Sequence, residues 1–193
     1  RDSSVPVDTI ERAIKRGTGE LEGVTYETIT YEGYAGSGVA VLAECLTDNR
    51  NRTGAEVKSV FNKAGGSLAE PGAVSWQFER KGIIILDKAA ATEEQLMEVA
   101  LDAGAQDIAD EGDQWHITTP PTEVHAVRTA LESAGVAVTS ADLTMLASTT
   151  VALADQAAAK AVLRVIDALE DHDDVQNVYA NFDIPESVLE SIT

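Results

Sequence analysis

Apolar residues recur along this chain at two spacings, and the switches between them mark out its elements. From Ser4 to Gly17, Val7, Ile10 and Ile14 repeat at intervals of three and four, the signature of one helix face. Ser4 is placed to cap that helix, and Pro6 falls in its first turn. Arg12, Lys15 and Arg16 complement its C-terminal dipole ahead of Gly17. An isolated helix of about a dozen residues is marginal in water, so its apolar stripe must pack on something. Nothing precedes it here and the chain has no initiator Met, so residues 1–20 are expected to be the end of a largely missing all-α N-terminal domain.

After Gly17-Thr18-Gly19 the spacing falls to two. Val24 to Tyr31 and Val39 to Leu46 read as strands joined by a turn over Gly33 to Gly38, which makes a hairpin. Thr53-Gly54-Ala55-Glu56 has the form of a capping box. It opens a helix whose face is Val57, Val60, Phe61 and Ala64 and which stops at Gly65-Gly66. A strand pair is expected around Pro71-Gly72, with Val74, Trp76 and Phe78 alternating inward.

The next stretch carries a complete pattern. Ile83 to Leu86 is a strand, and a second capping box at Thr92 opens a helix to Ala103. A hairpin of 106–109 and 114–118 turns at Glu111-Gly112-Asp113. Pro120 to Ala134 is a helix, and 136–146 holds a strand. That order, βαββαβ, is the split-βαβ or ferredoxin-like unit. The flanks repeat it in two pieces: strand 39–46, helix 53–64 and the pair around Pro71, then helix 155–170 and strand 175–179. The expected fold is therefore α+β, with two ferredoxin-like domains, one inserted in the other. Residues 21–80 with 147–193 form the discontinuous domain, and 81–146 form the insert.

Composition narrows the function. No run reaches the roughly 18 apolar residues of a membrane span, and the start lacks a secretory pattern. The protein is expected in the cytoplasm, as a monomer and with no membrane partner. The single Cys45 lies in an apolar run and reads as a small core residue. The net charge of −19 looks hostile to nucleic acid, because phosphate binding rests on Lys and Arg displacing counterions. Along the chain, however, residues 1–81 carry ten Lys/Arg against twelve Asp/Glu, and residues 82–193 carry four against twenty-one. A polyanion would then be met by the first half, leaving the acidic second half to solvent or to a protein partner.

Catalytic groupings are absent from the pattern. His116, His125 and His172 fall in a strand, in a helix and past a helix end. Asp171-His172-Asp173-Asp174 reads as a solvated acidic turn, because adjacent residues do not converge on a metal without partners from elsewhere. Cys45 has no obvious base beside it, and Trp76 and Trp115 read as core. No enzyme, metal or cofactor is expected. Gly33-x-x-Gly36-x-Gly38 joins two strands instead of opening a helix, so it reads as a turn and not as a phosphate loop. The segment with binding chemistry is Thr47 to Thr53, between a strand end and a helix N-terminus, where the helix dipole favours anions. Asn49, Arg50, Asn51 and Arg52 supply amides and guanidinium groups there. Lys63 would extend the patch, and Arg12, Lys15 and Arg16 would add to it. Two readings stand: an anion-binding corner, or arginines paired with Asp48, Glu56 or Glu44 and asparagines capping the helix.

Tyr31-Glu32-Gly33-Tyr34, Leu46-Thr47-Asp48-Asn49-Arg50-Asn51-Arg52-Thr53, Gly65-Gly66 and Val74-Ser75-Trp76-Gln77-Phe78 together resemble the signature stretch of the YebC/PmpR family. Asp102-Ala103-Gly104-Ala105 and Asp174 to Asn181 match later landmarks, so the resemblance runs through essentially the whole chain. It implies three domains with a basic helical first one, and no catalytic residues. It also implies regulation of gene expression, either as promoter-binding transcriptional regulators or as ribosome-associated translational activators that relieve stalling at proline runs. The primary expectation is a translation factor contacting the ribosome and its RNA through the first half and the missing N-terminal domain. The alternatives are a DNA-binding transcriptional regulator and an acidic protein-interaction module. Without the N-terminal domain, these 193 residues are expected to bind nucleic acid feebly.

Overall fold

The computed structural model describes residues 24–192, so the expected helix 4–17 lies outside the described residues. Those residues form two compact units, each α+β with an antiparallel sheet. Unit one runs to Trp76 and resumes at Thr149, and unit two is Gln77–Ser148.

In unit one, β1 (Glu27–Tyr34) and β2 (Ala40–Thr47) pair in register from Glu27 opposite Thr47 to Tyr34 opposite Ala40. Helix α1 (Arg50–Ala64) follows, then the short β3 (Ser67–Leu68) on the outer edge of β1. On the return of the chain come the remaining elements of the unit. In unit two, β4 (Phe78–Asp87), α2 (Glu93–Asp102), β5 (Asp107–Asp110), β6 (Gln114–Thr119), α3 (Val124–Ser133) and β7 (Ser140–Ala147) succeed one another. Unit one then resumes with β8 (Val151–Ala152), α4 (Gln156–Glu170), β9 (Val175–Ala180), β10 (Phe182–Asp183) and α5 (Glu186–Ile192). Its sheet order is β3-β1-β2-β9, with β8 and β10 forming a separate parallel pair.

Helices α1 and α4 cover one face of the unit-one sheet. Their buried stripes, Val57 and Phe61 on one and Ala159, Val162, Val165 and Leu169 on the other, close over Val41, Ala43 and Cys45 of β2. Cys45 is a core residue, and burial pushes its thiol up to about 12, out of the reactive range. The fully buried Phe61 ring sits on β1 so closely that a Cβ at Gly33 would lie 2.6 Å from it and 2.7 Å from the Ser67 carbonyl. Gly33 is therefore a packing glycine inside a strand. The turn proper is Gly36–Gly38, where Ser37 takes a φ of 60°.

Two expectations for this unit are corrected. Helix α1 starts three residues before the capping box at Thr53. Asn49 is its cap, with Oδ1 accepting the Arg52 N–H at 3.1 Å, and the Thr53 hydroxyl turns inward to a buried carboxylate. The strand pair around Pro71 is reduced to β3, and Ser75–Gln77 is a single 3-10 turn. The cause is Glu32, whose buried carboxylate accepts the N–H groups of Gly72, Val74 and Ser75 at 2.6, 2.8 and 2.8 Å and so withdraws them from any ladder. Val74 is buried, but Trp76 is 74% exposed and not a core residue.

In unit two the sheet order is β5-β6-β4-β7, all antiparallel. Ile84, Leu86, Trp115 and Ile117 of the sheet meet Leu96 and Ala100 of α2 and Val127 and Leu131 of α3 in one core. Thr92 caps α2 by accepting the Gln95 N–H. Helix α3 begins at Val124 and not at Pro120. A residue followed by proline is pushed out of the helical region, so Pro120-Pro121 cannot open a helix at Pro120, and residues 120–123 form a turn. Among the described residues no helix is long and apolar enough to cross a membrane.

Candidate nucleic-acid interface

Strand β2 ends at Thr47 and α1 begins at Arg50, so the chain reverses within two residues. A buried knot of hydrogen bonds holds the reversal. The Asn49 N–H donates to Thr47 Oγ1 at 2.9 Å, and the hydroxyls of Thr47 and Thr53 lie 2.7 Å apart. Thr53 Oγ1 is also 2.7 Å from Asp174 Oδ2. A carboxylate only accepts, so the one proton of Thr53 goes to Asp174, leaving Thr47 to donate to Thr53. Asp174, 7% exposed, also accepts from Arg52 Nη2 at 2.8 Å. Burial alone would raise its carboxyl, but the bonds from Arg52 and Thr53 outweigh that and hold it below the ordinary aspartate value.

The reading of 171–174 as a solvated turn therefore holds for the exposed Asp171 and Asp173 and is corrected for His172 and Asp174. Their partners arrive from α1, more than a hundred residues earlier. Arg52 lies 3.3 Å from Asp48 and 3.9 Å from Glu56 as well, and Glu56 Oε2 is 3.0 Å from His172 Nε2. Glu56, His172 and Asp174 thus gather three potential metal-ligand atoms within 4.8 Å of one another. The tautomer argues against such use. The Asp174 N–H donates to His172 Nδ1 at 3.1 Å, which requires a lone pair there and puts the ring proton on Nε2, the atom a metal would need bare. The positive charge at this spot is the Arg52 guanidinium, whose own proton affinity is raised chiefly by the Asp174 hydrogen bond.

The sequence-selected residues are therefore divided. Asn49 spends its side chain on the cap and Arg52 on carboxylates. Arg50 has a 69% exposed side chain with Glu27 at 4.0 Å, and Asn51 is exposed. Lys63 sits 13 residues beyond Arg50, about 20 Å along the helix axis at 1.5 Å per residue, so it does not extend this corner. It instead faces α4, where Lys63 and Arg164 flank an apolar groove of Val60, Ala64 and Ala168, and Lys160 lies one turn before Arg164. Arg12, Lys15 and Arg16 lie outside the described residues.

Folding also redistributes the charge. Within the described residues, unit one has six Lys/Arg against fifteen Asp/Glu and unit two has four against thirteen, so both are net −9. The linear asymmetry disappears because the acidic 149–192 segment returns to the first unit. What replaces it is local. All six cations among the described residues of unit one, Arg50, Arg52, Lys58, Lys63, Lys160 and Arg164, stand on α1 or α4. The last four are exposed and have no ion pair among the described residues, so this helical layer presents unspent positive charge on an acidic protein. Lys160 and Arg164 were missed in the sequence. Their i, i+4 spacing on the polar side of a helix was visible, but their nearness to Lys63 depends on α1 and α4 packing together.

Comparison with known proteins gives consistent relatives. Residues 26–182 match the family model described as the TACO1/YebC second and third domain. A probable transcriptional regulatory protein of Desulfotalea psychrophila is 50% identical over 192 residues, covering 100% of this chain and 77% of that protein. One from Geobacter sulfurreducens is 54% identical over 189 residues, covering 98% and 76%. The crystal structure of a conserved hypothetical protein from Aquifex aeolicus superposes with a TM-score of 0.75 at 47% identity, over 94% of this chain and 74% of that one.

Proposed function

The chain belongs to the TACO1/YebC family, and from that premise we propose that it regulates gene expression by docking the α1–α4 layer of unit one onto nucleic acid, as a ribosome-associated translation factor that relieves stalling. The observation that carries the reading is the confinement of every cation among the described residues of unit one to two adjacent helices, four of them with no ion pair among those residues. Phosphates are recognised by such exposed Lys and Arg with release of counterions, and folded RNA is recognised largely through its backbone and shape. Across most of the molecule the excess of carboxylates repels a polyanion, so contact is restricted to this layer. We also read both units as ferredoxin-like. The order β5-β6-β4-β7 with α2 and α3 in one core supports this for unit two.

A second reading, a DNA-binding transcriptional regulator, has two supports. One is that the relatives are named probable transcriptional regulatory proteins. The other is that α1 exposes Asn51, Ala55, Lys58 and Asn62 at successive turns of one face, a set able to meet base edges in a major groove. Crosslinking of the protein to nucleic acid in growing cells separates the two readings. Ribosomal RNA is the expected product, and recovery of promoter DNA without ribosomal RNA would replace the first reading by the second.

A further inference from the structure

Tryptophan is rarely left in water, and a rigidly held exposed one is a recognition feature. Trp76 is 74% exposed, at the end of a loop that is fixed and not slack. The Glu32 carboxylate clamps three successive portions of that loop through the Gly72, Val74 and Ser75 N–H groups, and Ala73 N–H closes a turn onto the Glu70 carbonyl at 3.1 Å. The indole N–H of Trp76 is already donated to the Ala73 carbonyl at 3.0 Å. Its one polar group is spent, so what it offers outward is an aromatic face.

We infer that Trp76 is a stacking platform for an unpaired nucleobase. The inference rests on the nucleic-acid reading above and adds the kind of strand recognised. Contiguous exposed apolar patches of more than a few hundred Å² mark protein-docking sites. Around Trp76 the loop supplies the exposed Pro71 and Gly72 and the half-buried Ser75. Among the described residues of unit one, Leu189 on α5 is the other large apolar side chain with comparable exposure. A lone aromatic face amid small and polar residues suits a base, because every base has a π surface and stacking needs no apolar rim. The base must be unpaired, since in a duplex both its faces are occupied. Tyr31 and Gly33 meet the α1 side of the sheet, so Glu32 between them faces the other side and anchors the loop there. The base contact is therefore separate from the cationic layer and can be tested apart from it.

The test is a titration of the 193-residue chain with an oligouridylate of about a dozen nucleotides and with a duplex of the same length, followed by tryptophan fluorescence and by anisotropy of the labelled nucleic acid. Trp115, 4% exposed, serves as the unresponsive internal reference. Single strands are expected to quench Trp76 where the duplex does not. Trp76→Ala is expected to weaken single-strand affinity by about 5- to 150-fold, with most of it regained in Trp76→Phe and not in Trp76→Leu, and with the salt dependence unchanged. Circular dichroism identical to the parent verifies that each variant folds. Unquenched emission and equal affinities for all four proteins, while Lys63→Glu with Arg164→Glu weakens binding, would overturn the platform and leave the nucleic-acid reading intact. Trp76→Leu matching the parent would also overturn it, because stacking requires an aromatic ring. A parent that sediments with ribosomes but binds no single strand would overturn the platform alone, and one that does neither would overturn both.

Discussion

Replacing Asp174 by Asn keeps the shape of the side chain at the junction of α1 and β9 and removes its charge. Two bonds converge on its Oδ2, from Thr53 at 2.7 Å in the interior and from Arg52 at 2.8 Å nearer the surface. A hydrogen bond to a charged group contributes about 1.5–3 kcal/mol, and the Arg52 share must be discounted to about 1 kcal/mol because that side chain is 38% exposed. Together these set an upper bound of about 2.5–4 kcal/mol, and because the Asn oxygen still accepts one of the bonds the variant should lose about 2–3 kcal/mol. With a urea slope of about 1–3 kcal/mol per molar, the unit-one transition should move down by about 1–2 M. Far-UV circular dichroism reports both units, and the buried Trp115 reports unit two by itself. The expected pattern is an early circular-dichroism transition with the Trp115 transition in place. The effect must also depend on pH. The folded-state carboxyl of Asp174 lies below its unfolded value, so its contribution is full above the unfolded value and is lost as pH falls through the folded one. The gap between parent and variant should close on acidification. A shift under about 0.3 M, or a gap that persists after the carboxylates are protonated, would refute the reasoning.

Gly33→Ala should cost about 1–3 kcal/mol by overpacking, because its Cβ would enter the Phe61 ring and the Ser67 carbonyl. Adding Phe61→Leu should recover part of that loss, and strictly additive effects in denaturant would show that the two residues are not in contact. Glu32→Gln sets an amide against three backbone donors and should cost about 2–3 kcal/mol at neutral pH. Burial alone would raise the Glu32 carboxyl, but the three N–H bonds hold it below the ordinary glutamate value. This stabilisation too is present above the unfolded value and vanishes as pH falls through the folded one. Thermal unfolding of parent and variant across the acid range checks it, and Trp76 anisotropy should fall in the variant as its loop loosens.

Much of this fold was legible because hydrophobic spacing is local. The stripes Val57–Phe61 and Val162–Val165–Leu169 and the alternation at Trp115 and Ile117 each mark a face that is buried in the structure. What escaped the sequence depends on contacts across the chain. Thr53 looked like a cap because its buried acceptor, Asp174, lies 121 residues away. Trp76 looked like core because alternation assumes a strand, and Glu32, 42 residues before Val74, had already claimed the N–H groups a strand would need. A hint was available: a carboxylate between Tyr31 and Gly33 in the middle of a strand calls for donors of its own. The site was half legible for the same reason. The corner at Asn49–Arg52 was found where the chain turns. That Arg52 is consumed by Asp48, Glu56 and Asp174, and that Lys63 meets Arg164 and not Arg50, follows only from the topology.

That division sets the decisive variant. Arg52→Glu would place a fourth carboxylate among Asp48, Glu56 and Asp174 and disrupt folding, so it cannot report on docking. Lys63→Glu with Lys160→Glu and Arg164→Glu alters exposed, unpaired side chains and leaves both cores intact. Co-sedimentation of the protein with ribosomes across a salt series measures the claim directly. The prediction is that the triple variant is released at lower salt than the parent, with a shallower dependence on salt because fewer phosphates are neutralised. Release at the same salt and with the same slope would contradict docking through the α1–α4 layer.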